Sequence, residues 1–399
     1  MNQTPRGNRL HIAIFGRRNV GKSSLINALT DQDIAVVSQV AGTTTDPVYK
    51  SMEILPIGPV LLIDTPGIDD EGMIGELRIE KTKKVLGKTD LALIVTDAEI
   101  GIGEYEEGLI DTIRSKEIPI IIVYNKIDLF HASKDISTEY LTIPIVSTSA
   151  KANSGIEALK QRIIKEAPKD EEISLMAGLI EKGDLVVLVT PIDSAAPKGR
   201  MILPQVQVIR DILDHDAIMM VCKETELADT LDRLKSPPNL IVTDSQAFAY
   251  VSQIVPKEIP LTSFSILFAR YKGDLDTLIE GAKAIKTLVP GDEVLIVEGC
   301  THHRQEDDIG TVKIPRWLEK EVGGKLSFSW FAGTTFEEDL SKYKLIVHCG
   351  SCMHNRREMM NRINRAKGQG VPIVNYGVLI GYMTQILDRV LEPFSNKLG

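Results

Sequence analysis

The sequence predicts an α/β protein in three parts: an N-terminal P-loop domain, a small α/β middle domain and a C-terminal α/β domain that carries three cysteines at strand ends. Three observations predict it. First, Gly16-Arg17-Arg18-Asn19-Val20-Gly21-Lys22-Ser23 reads G-x-x-x-x-G-K-S between an apolar run, His11–Phe15, and a helix-like one, Ser24–Leu29. That is the strand–turn–helix context of a phosphate-binding loop. Second, short apolar runs alternate with helix-like segments along the rest of the chain. Third, two of those runs, Glu293–Val297 and Leu345–Val347, end in turns that hold Cys300, Cys349 and Cys352.

Composition sets the outer limits. The 399 residues are too many for one core, so two or three domains are expected. A net charge of −9 argues against a broad nucleic-acid footprint. No apolar run approaches the roughly 18–20 residues of a membrane span. The opening MNQTPRGNRL lacks the apolar core of a secretory signal. A cytoplasmic protein with neither membrane nor nucleic-acid partner is expected. Four cysteines at these spacings suggest metal chemistry in a reducing compartment more than a disulfide framework.

In chain order, Leu10–Phe15 reads as the first strand. Gly16 and Gly21 let the loop curl its N–H groups inward, and the following helix adds its dipole. Lys22 would reach the β- and γ-phosphates and Ser23 would hold Mg²⁺. Ile34–Gln39 is a short apolar stretch before a polar loop, Ala41–Pro47, in which Thr43 and Thr44 are candidates to complete the Mg²⁺ shell. Val60–Ile63 is a strand ending in Asp64-Thr65-Pro66-Gly67, where Asp64 suits the second Mg²⁺ contact and Gly67 the γ-phosphate. Leu91–Thr96 and Ile118–Tyr124 are further strands. The second runs into Asn125-Lys126-Ile127-Asp128, whose Asp128 carboxylate can accept two hydrogen bonds from guanine. Ile143–Val146 leads to Ser147-Thr148-Ser149-Ala150-Lys151, whose backbone could donate to guanine O6.

These five elements in this order resemble the small GTPase superfamily over roughly residues 8–168. Gly42–Asp46 and Asp64–Gly67 are similar to the translation-factor branch near Era and MnmE. The resemblance implies GTP hydrolysis. It also implies a nucleotide site built from residues Gly16 to Ser24, Thr43, Thr44, Asp64, Gly67, Asn125, Lys126, Asp128, Ser149, Ala150 and Lys151. Lys22, Asn19, Thr44 and Gly67 are its expected catalytic residues. Ile68 stands where Ras-like enzymes place a glutamine, so intrinsic hydrolysis should be slow or use another device. Asn19 matches the asparagine with which potassium-activated relatives help bind K⁺, which could neutralise transition-state charge.

Lys165–Glu172 reads as a linker, followed by a helix-like piece (Ile173–Ile180) and a strand (Leu185–Thr190). Pro191–Arg200 is a polar loop. Ala217–Cys222 and Leu240–Thr243 are apolar runs separated by helix-like Glu224–Leu234, with Cys222 expected as a core thiol. The segment carries no catalytic constellation, and assembly of a dimer is its expected use.

In the third part, helix-like Pro315–Val322 and Arg356–Lys367 alternate with the two Cys-bearing strands. Alternation implies parallel pairing, so Cys300, Cys349 and Cys352 should converge at one sheet edge. Asn355 reads as an N-cap aiming a helix start at them. From the residues alone four readings stand: a [4Fe–4S] cluster with one iron open, a Cys₃His zinc site, a Cys349/Cys352 redox pair, or unrelated thiols. His303 with Glu306, Asp307 and Asp308 reads as a solvated loop.

The whole pattern, a GTPase domain followed by Cys300-x-His302 and then His348-Cys349-x-x-Cys352, resembles the HydF family of [FeFe]-hydrogenase maturation GTPases. The resemblance implies a [4Fe–4S] cluster on the three cysteines, with His302, His348 or Glu298 as fourth ligand. It also implies a homodimer that carries a diiron precursor to the hydrogenase alongside radical-SAM maturases. The expected domains are 1–168 for GTP, 172–262 for dimerisation and 263–399 for the cluster. Two rival classes remain: an RNA- or ribosome-associated switch GTPase with a structural zinc domain, and a thiol redox protein under GTP control.

Overall fold

A computed structural model describes residues 4–31, 47–67, 81–129, 142–168, 174–191, 201–299, 308–333 and 336–395. The chain divides into two compact units, residues 1–170 and 171–399.

The first unit is built on a sheet of order β2-β3-β1-β4-β5-β6 among the described residues. Its strands are β1 (Leu10–Phe15), β2 (Val48–Ile54), β3 (Gly58–Asp64), β4 (Leu91–Asp97), β5 (Ile120–Asn125) and β6 (Ile145–Ser147). All pairings are parallel except β2–β3. The apolar runs seen in the sequence are those of strands covered on both faces. Ile12 and Ile14 of β1 enter one core with Leu62, Leu93 and Val95, while Ala13 and Phe15 enter another with Ile63 and Ile94. Because β1 lies between β3 and β4, its C-terminal end is a topological switch point, and the phosphate loop emerges there.

The second unit has two parallel four-stranded sheets among the described residues, in the orders β10-β9-β7-β8 and β12-β11-β13-β14. The first comprises β7 (Leu185–Val189), β8 (Ile218–Cys222), β9 (Leu240–Thr243) and β10 (Leu261–Ser263). The second comprises β11 (Glu293–Glu298), β12 (Ser327–Ala332), β13 (Leu345–His348) and β14 (Ile373–Asn375). One continuous buried core runs through this unit from Leu175 to Phe394. The helix Phe264–Lys272 follows directly on β10, capped by the Ser263 hydroxyl, and ends beneath the cysteine loop described below.

Several local expectations need correction. Residues 174–180 form turns, not a helix. Lys165 and Glu166 close the helix Ile156–Glu166 instead of opening a linker. Strand β2 and the helix Leu203–Asp214 lie where no element is expected from sequence. Strand β2 alternates exposed and covered positions at an antiparallel edge, and Pro204 sits at the first turn of its helix, where its missing N–H costs nothing. Asp308, read as part of a solvated loop, accepts the Thr311 N–H as a helix cap, whereas His303, Glu306 and Asp307 lie outside the described residues. Cys222 is buried in the core as expected. Among the described residues no helix is long and apolar enough to cross a membrane.

Candidate functional site

The phosphate loop joins β1 to the helix Lys22–Thr30. Gly16 has φ 148°, and a Cβ there would lie 2.1 Å from the Val95 carbonyl oxygen, so only glycine fits. Exposed Asn19 has φ 58°, a left-handed conformation asparagine tolerates. Lys22 Nζ donates to the carbonyls of Gly16 and Arg17, each at 2.7 Å, so its ammonium lies over the loop.

At the end of β3, Asp64 Oδ2 accepts from Ser23 Oγ at 2.7 Å. The two groups expected to share Mg²⁺ therefore stand together, and burial raises the Asp64 pKa despite Ser23, Lys22 and Lys50. A desolvated carboxylate beside a hydroxyl is a donor set that suits a hard cation. Thr65 fastens the turn to β1 by donating to the Ile14 carbonyl at 2.7 Å. Gly67 then passes so close to the phosphate loop that a Cβ would meet Arg18 N at 2.8 Å and Cα at 2.9 Å. Gly67→Ala must displace this turn from the phosphate loop, and with it from the place the sequence assigns to the γ-phosphate. The expected result is hydrolysis slowed on the order of 10²-fold with nucleotide affinity little changed, measured by single-turnover hydrolysis beside fluorescent-nucleotide titration.

The far end of the site hangs on Asn125. Its buried amide donates to the Val20 carbonyl at 2.9 Å, and its Oδ1 accepts from Thr148 Oγ1 at 3.2 Å and Ala150 N at 3.1 Å. Asn125 is thus a strut between the phosphate loop and the 147–151 turn. Ser149 Oγ donates to Asp128 Oδ1 at 2.5 Å, which places that exposed carboxylate. Lys126 has φ 66° and pairs with buried Asp97 at 2.9 Å. Asp97 and Glu106 are absent from the expected residues. Fully buried Glu106 binds Arg17 at 3.0 Å and the Gly103 N–H at 3.1 Å, tying the phosphate loop to the helix Glu104–Arg114. Thr43, Thr44 and Ile68 lie outside the described residues.

In the second unit β11 and β13 pair in parallel, so the turns after them meet. Gly299 N donates to Cys349 Sγ at 3.0 Å. Asn355 caps the helix Arg356–Gly368 by accepting the Glu358 N–H at 3.0 Å, as the sequence implies. Cys349 and Cys352 form no disulfide. Burial pushes the Cys349 thiol up from its ordinary pKa, which is unfavourable for a reactive redox thiolate. Cys300 and His302 lie outside the described residues, and among the described ones no three of His, Cys, Asp and Glu are grouped to hold a metal ion.

Around the two thiols stand groups with no sequence signature. Buried Lys272 donates to the carbonyls of Ser351, Cys352 and His354 at 3.3, 3.1 and 2.8 Å, and burial lowers its pKa to about 8. Arg362 Nη1 donates to His348 Nε2 at 2.9 Å. His348 Nδ1 lies 2.9 Å from the Cys349 carbonyl, which can only accept, so that nitrogen carries the proton. With burial holding its pKa near 3, His348 is a neutral ring committed at both nitrogens. Of the three candidates for a fourth iron ligand, His348 therefore has both ring nitrogens engaged here. Glu298 is buried at the end of β11, and the Tyr376 hydroxyl is its neighbour across Gly310. The chemistry present fits a thiolate-bound cluster: a backbone N–H on one sulfur and two buried cations beside the loop.

Comparison with known proteins covers nearly the whole chain. Residues 11–126 match the family described as 50S ribosome-binding GTPase. Residues 175–273 match the Hydrogen maturase F dimerization domain, and residues 276–393 its tetramerization domain. The tRNA modification GTPase MnmE of Dechloromonas aromatica is 38% identical over 161 residues, covering 40% of this chain and 35% of that protein. GTPase Der of Wolinella succinogenes is 38% identical over 167 residues, covering 39% and 35%. The chain thus spans 35% of the length of each of these relatives. Era of Aquifex aeolicus, solved with GDP and AlF₄⁻, aligns with 53% of this chain and 91% of its own at 23% identity and a TM-score of 0.37.

Proposed function

The chain belongs to the hydrogen maturase F family of hydrogenase-maturation GTPases, and from that premise we propose that it carries a [4Fe–4S] cluster and delivers a diiron precursor to apo-[FeFe]-hydrogenase. The observation that carries the reading is the 3.0 Å contact from Gly299 N to Cys349 Sγ, which brings the residue before Cys300 against one of the other two cysteines. Segment 1–168 is assigned to GTP, 172–262 to dimerisation and 263–399 to the cluster. Cys300, Cys349 and Cys352 would hold the cluster, which when bound offers one iron for exchange. His302 and Glu298 stand as sequence candidates for that iron. Hydrogenase and radical-SAM maturases are the partners this assignment requires, in a reducing cytoplasm. The acidic charge and the two family matches beyond residue 126 favour it over a ribosome-associated zinc GTPase.

In the GTPase cycle Lys22 leaves the Gly16 and Arg17 carbonyls for the β- and γ-phosphates. Ser23 and Asp64, with Thr44, would hold Mg²⁺, which neutralises phosphate charge when bound. Gly67 closes on the γ-phosphate, and Asp128 and Ala150 select guanine. Asn19 would place K⁺ beside the phosphates, so hydrolysis is expected to run faster in KCl than in NaCl, and equally in both for Asn19→Ala.

Assembly from copies of the chain follows from the family's dimerization and tetramerization domains. Edge strand β8 suits the dimer, since it exposes Ile218 (61%) and Val221 (44%) on a strand that pairs only with β7 among the described residues. Ile218→Lys with Val221→Lys is expected to shift the protein to a smaller species in light scattering while leaving GTP hydrolysis intact. An unchanged mass would place the dimer contact elsewhere. The function itself is tested by mixing the loaded protein with apo-hydrogenase. Hydrogen evolution is expected from wild type and not from Cys349→Ala, and equal evolution from both would contradict the carrier role.

A further inference from the structure

Glu106 is fully buried, yet only half of its carboxylate is used. Oε2 accepts the Gly103 N–H at 3.1 Å and Arg17 Nη2 at 3.0 Å, whereas Oε1 is buried with no hydrogen-bond partner. Such a carboxylate is a poor device for stability, because polar atoms out of water are nearly always satisfied and a buried ion pair seldom repays its desolvation. The start of the helix Glu104–Arg114 needs only an acceptor here, and glutamine would supply one. The charge is there for Arg17. The carboxylate is also a fixed point, since Leu109, Ile110 and Ile113 anchor its helix in the core that holds Phe15 of β1 and Ile94 of β4. Gly103 makes room for the guanidinium: a Cβ there would stand 2.6 Å from Arg17 Nη2. Arg17 in turn belongs to the phosphate loop, and its carbonyl accepts Lys22 Nζ at 2.7 Å. One residue thus links a core helix to the ammonium that serves the phosphates.

We propose that Glu106 is a positioning residue for GTP hydrolysis, acting through Arg17, an assignment that rests on the GTPase reading above. The buried anion holds the guanidinium to the helix and off the triphosphate. It thereby keeps the first arm of the loop in the place from which Lys22 passes from the loop carbonyls to the β- and γ-phosphates. Without that anion, Arg17 follows the phosphate charge instead. Such an attraction favours bound nucleotide and transition state alike, so it adds affinity and no rate, while the displaced loop loses alignment. The signature of the pair is therefore a fall in the chemical step with nucleotide affinity held or increased.

The test is a double-mutant cycle read by single-turnover hydrolysis at saturating GTP, with nucleotide titration and melting on the same samples. Glu106→Gln keeps the acceptor for Gly103 and removes the charge, and Arg17→Gln removes the other partner. Gly103→Ala displaces the guanidinium while leaving both charges in place. Hydrolysis in Glu106→Gln is expected to slow about 10- to 100-fold, with GTP and GDP bound at least as tightly as by wild type. The double variant should be no slower than the slower single one, because the two residues act as a unit. Gly103→Ala should slow in the same sense by less. A lower melting temperature in Glu106→Gln with a wild-type rate would overturn this assignment and leave Glu106 a helix cap. So would slowing that multiplies in the double variant, or a loss of GTP affinity in place of rate. A wild-type rate in Gly103→Ala would overturn it as well, even where the charge variants fail to fold. Wild type that does not hydrolyse GTP would overturn the GTPase reading, and this assignment with it.

Discussion

Asp64→Asn is expected to abolish Mg²⁺-dependent hydrolysis, on the order of 10³-fold, and at the same time to raise the melting temperature of the nucleotide-free protein by a few degrees. The two effects have one cause. Asp64 is half-buried at the end of β3, and its desolvation outweighs the Ser23 hydrogen bond and the Lys22 and Lys50 charges, so its pKa is raised above 3.8. The unfolded chain therefore gives up this proton at lower pH than the folded one. Between the two values the folded state binds more protons, so stability falls as pH rises through that window, and at neutral pH the cost is fully present. Asparagine keeps an acceptor for Ser23 Oγ without the desolvated charge. Melting curves from pH 3 to 7 should show a slope in wild type that is smaller in the variant. A variant that melts lower than wild type at pH 7 would mean that Asp64 stabilises the empty site instead of waiting for a cation.

The second large effect lies under the cysteine loop. Lys272→Met removes the donor shared by the carbonyls of Ser351, Cys352 and His354, of which Ser351 keeps the His354 N–H at 3.1 Å. A buried acceptor left unmet costs about 1–3 kcal/mol, so a loss on the order of 3 kcal/mol is expected. That corresponds to a melting temperature lower by about 10 °C in a unit of this size. The substitution also removes a cation from the neighbourhood of the thiols, which weakens retention of any anionic group held there. Iron bound after anaerobic reconstitution should fall well below wild type, with Lys272→Arg intermediate. Full iron and an unchanged melt would show that the loop holds its shape unaided.

Much of this was legible in the sequence wherever burial on both faces made strands into unbroken apolar runs. β1, β4 and β5 are of that kind, and the convergence of Gly299 with Cys349 follows from reading their strands as parallel. β2 was not legible, because an edge strand with Lys50 and Glu53 has no such run. Nor was the helix Leu203–Asp214, where Pro204 reads as a breaker until its position in the first turn is known. At the sites, motif residues could be listed but not their mutual duties. Asn125 could be named for guanine, yet its links to Val20, Thr148 and Ala150 depend on three distant segments. Lys272, Glu106 and His354 have no motif, since a buried charge or ring is defined only by what the fold packs against it.

The central claim is that a hydrogenase-maturation GTPase holds a cluster on its C-terminal cysteines, and metal content tests it most directly. Iron, sulfide and zinc would be measured after anaerobic reconstitution of wild type and Cys349→Ala, with EPR of the reduced proteins. The account predicts about four irons and four sulfides per chain in wild type, with a cubane signal that Cys349→Ala loses. One tightly held zinc with no iron uptake would contradict it and favour a zinc-structured switch GTPase.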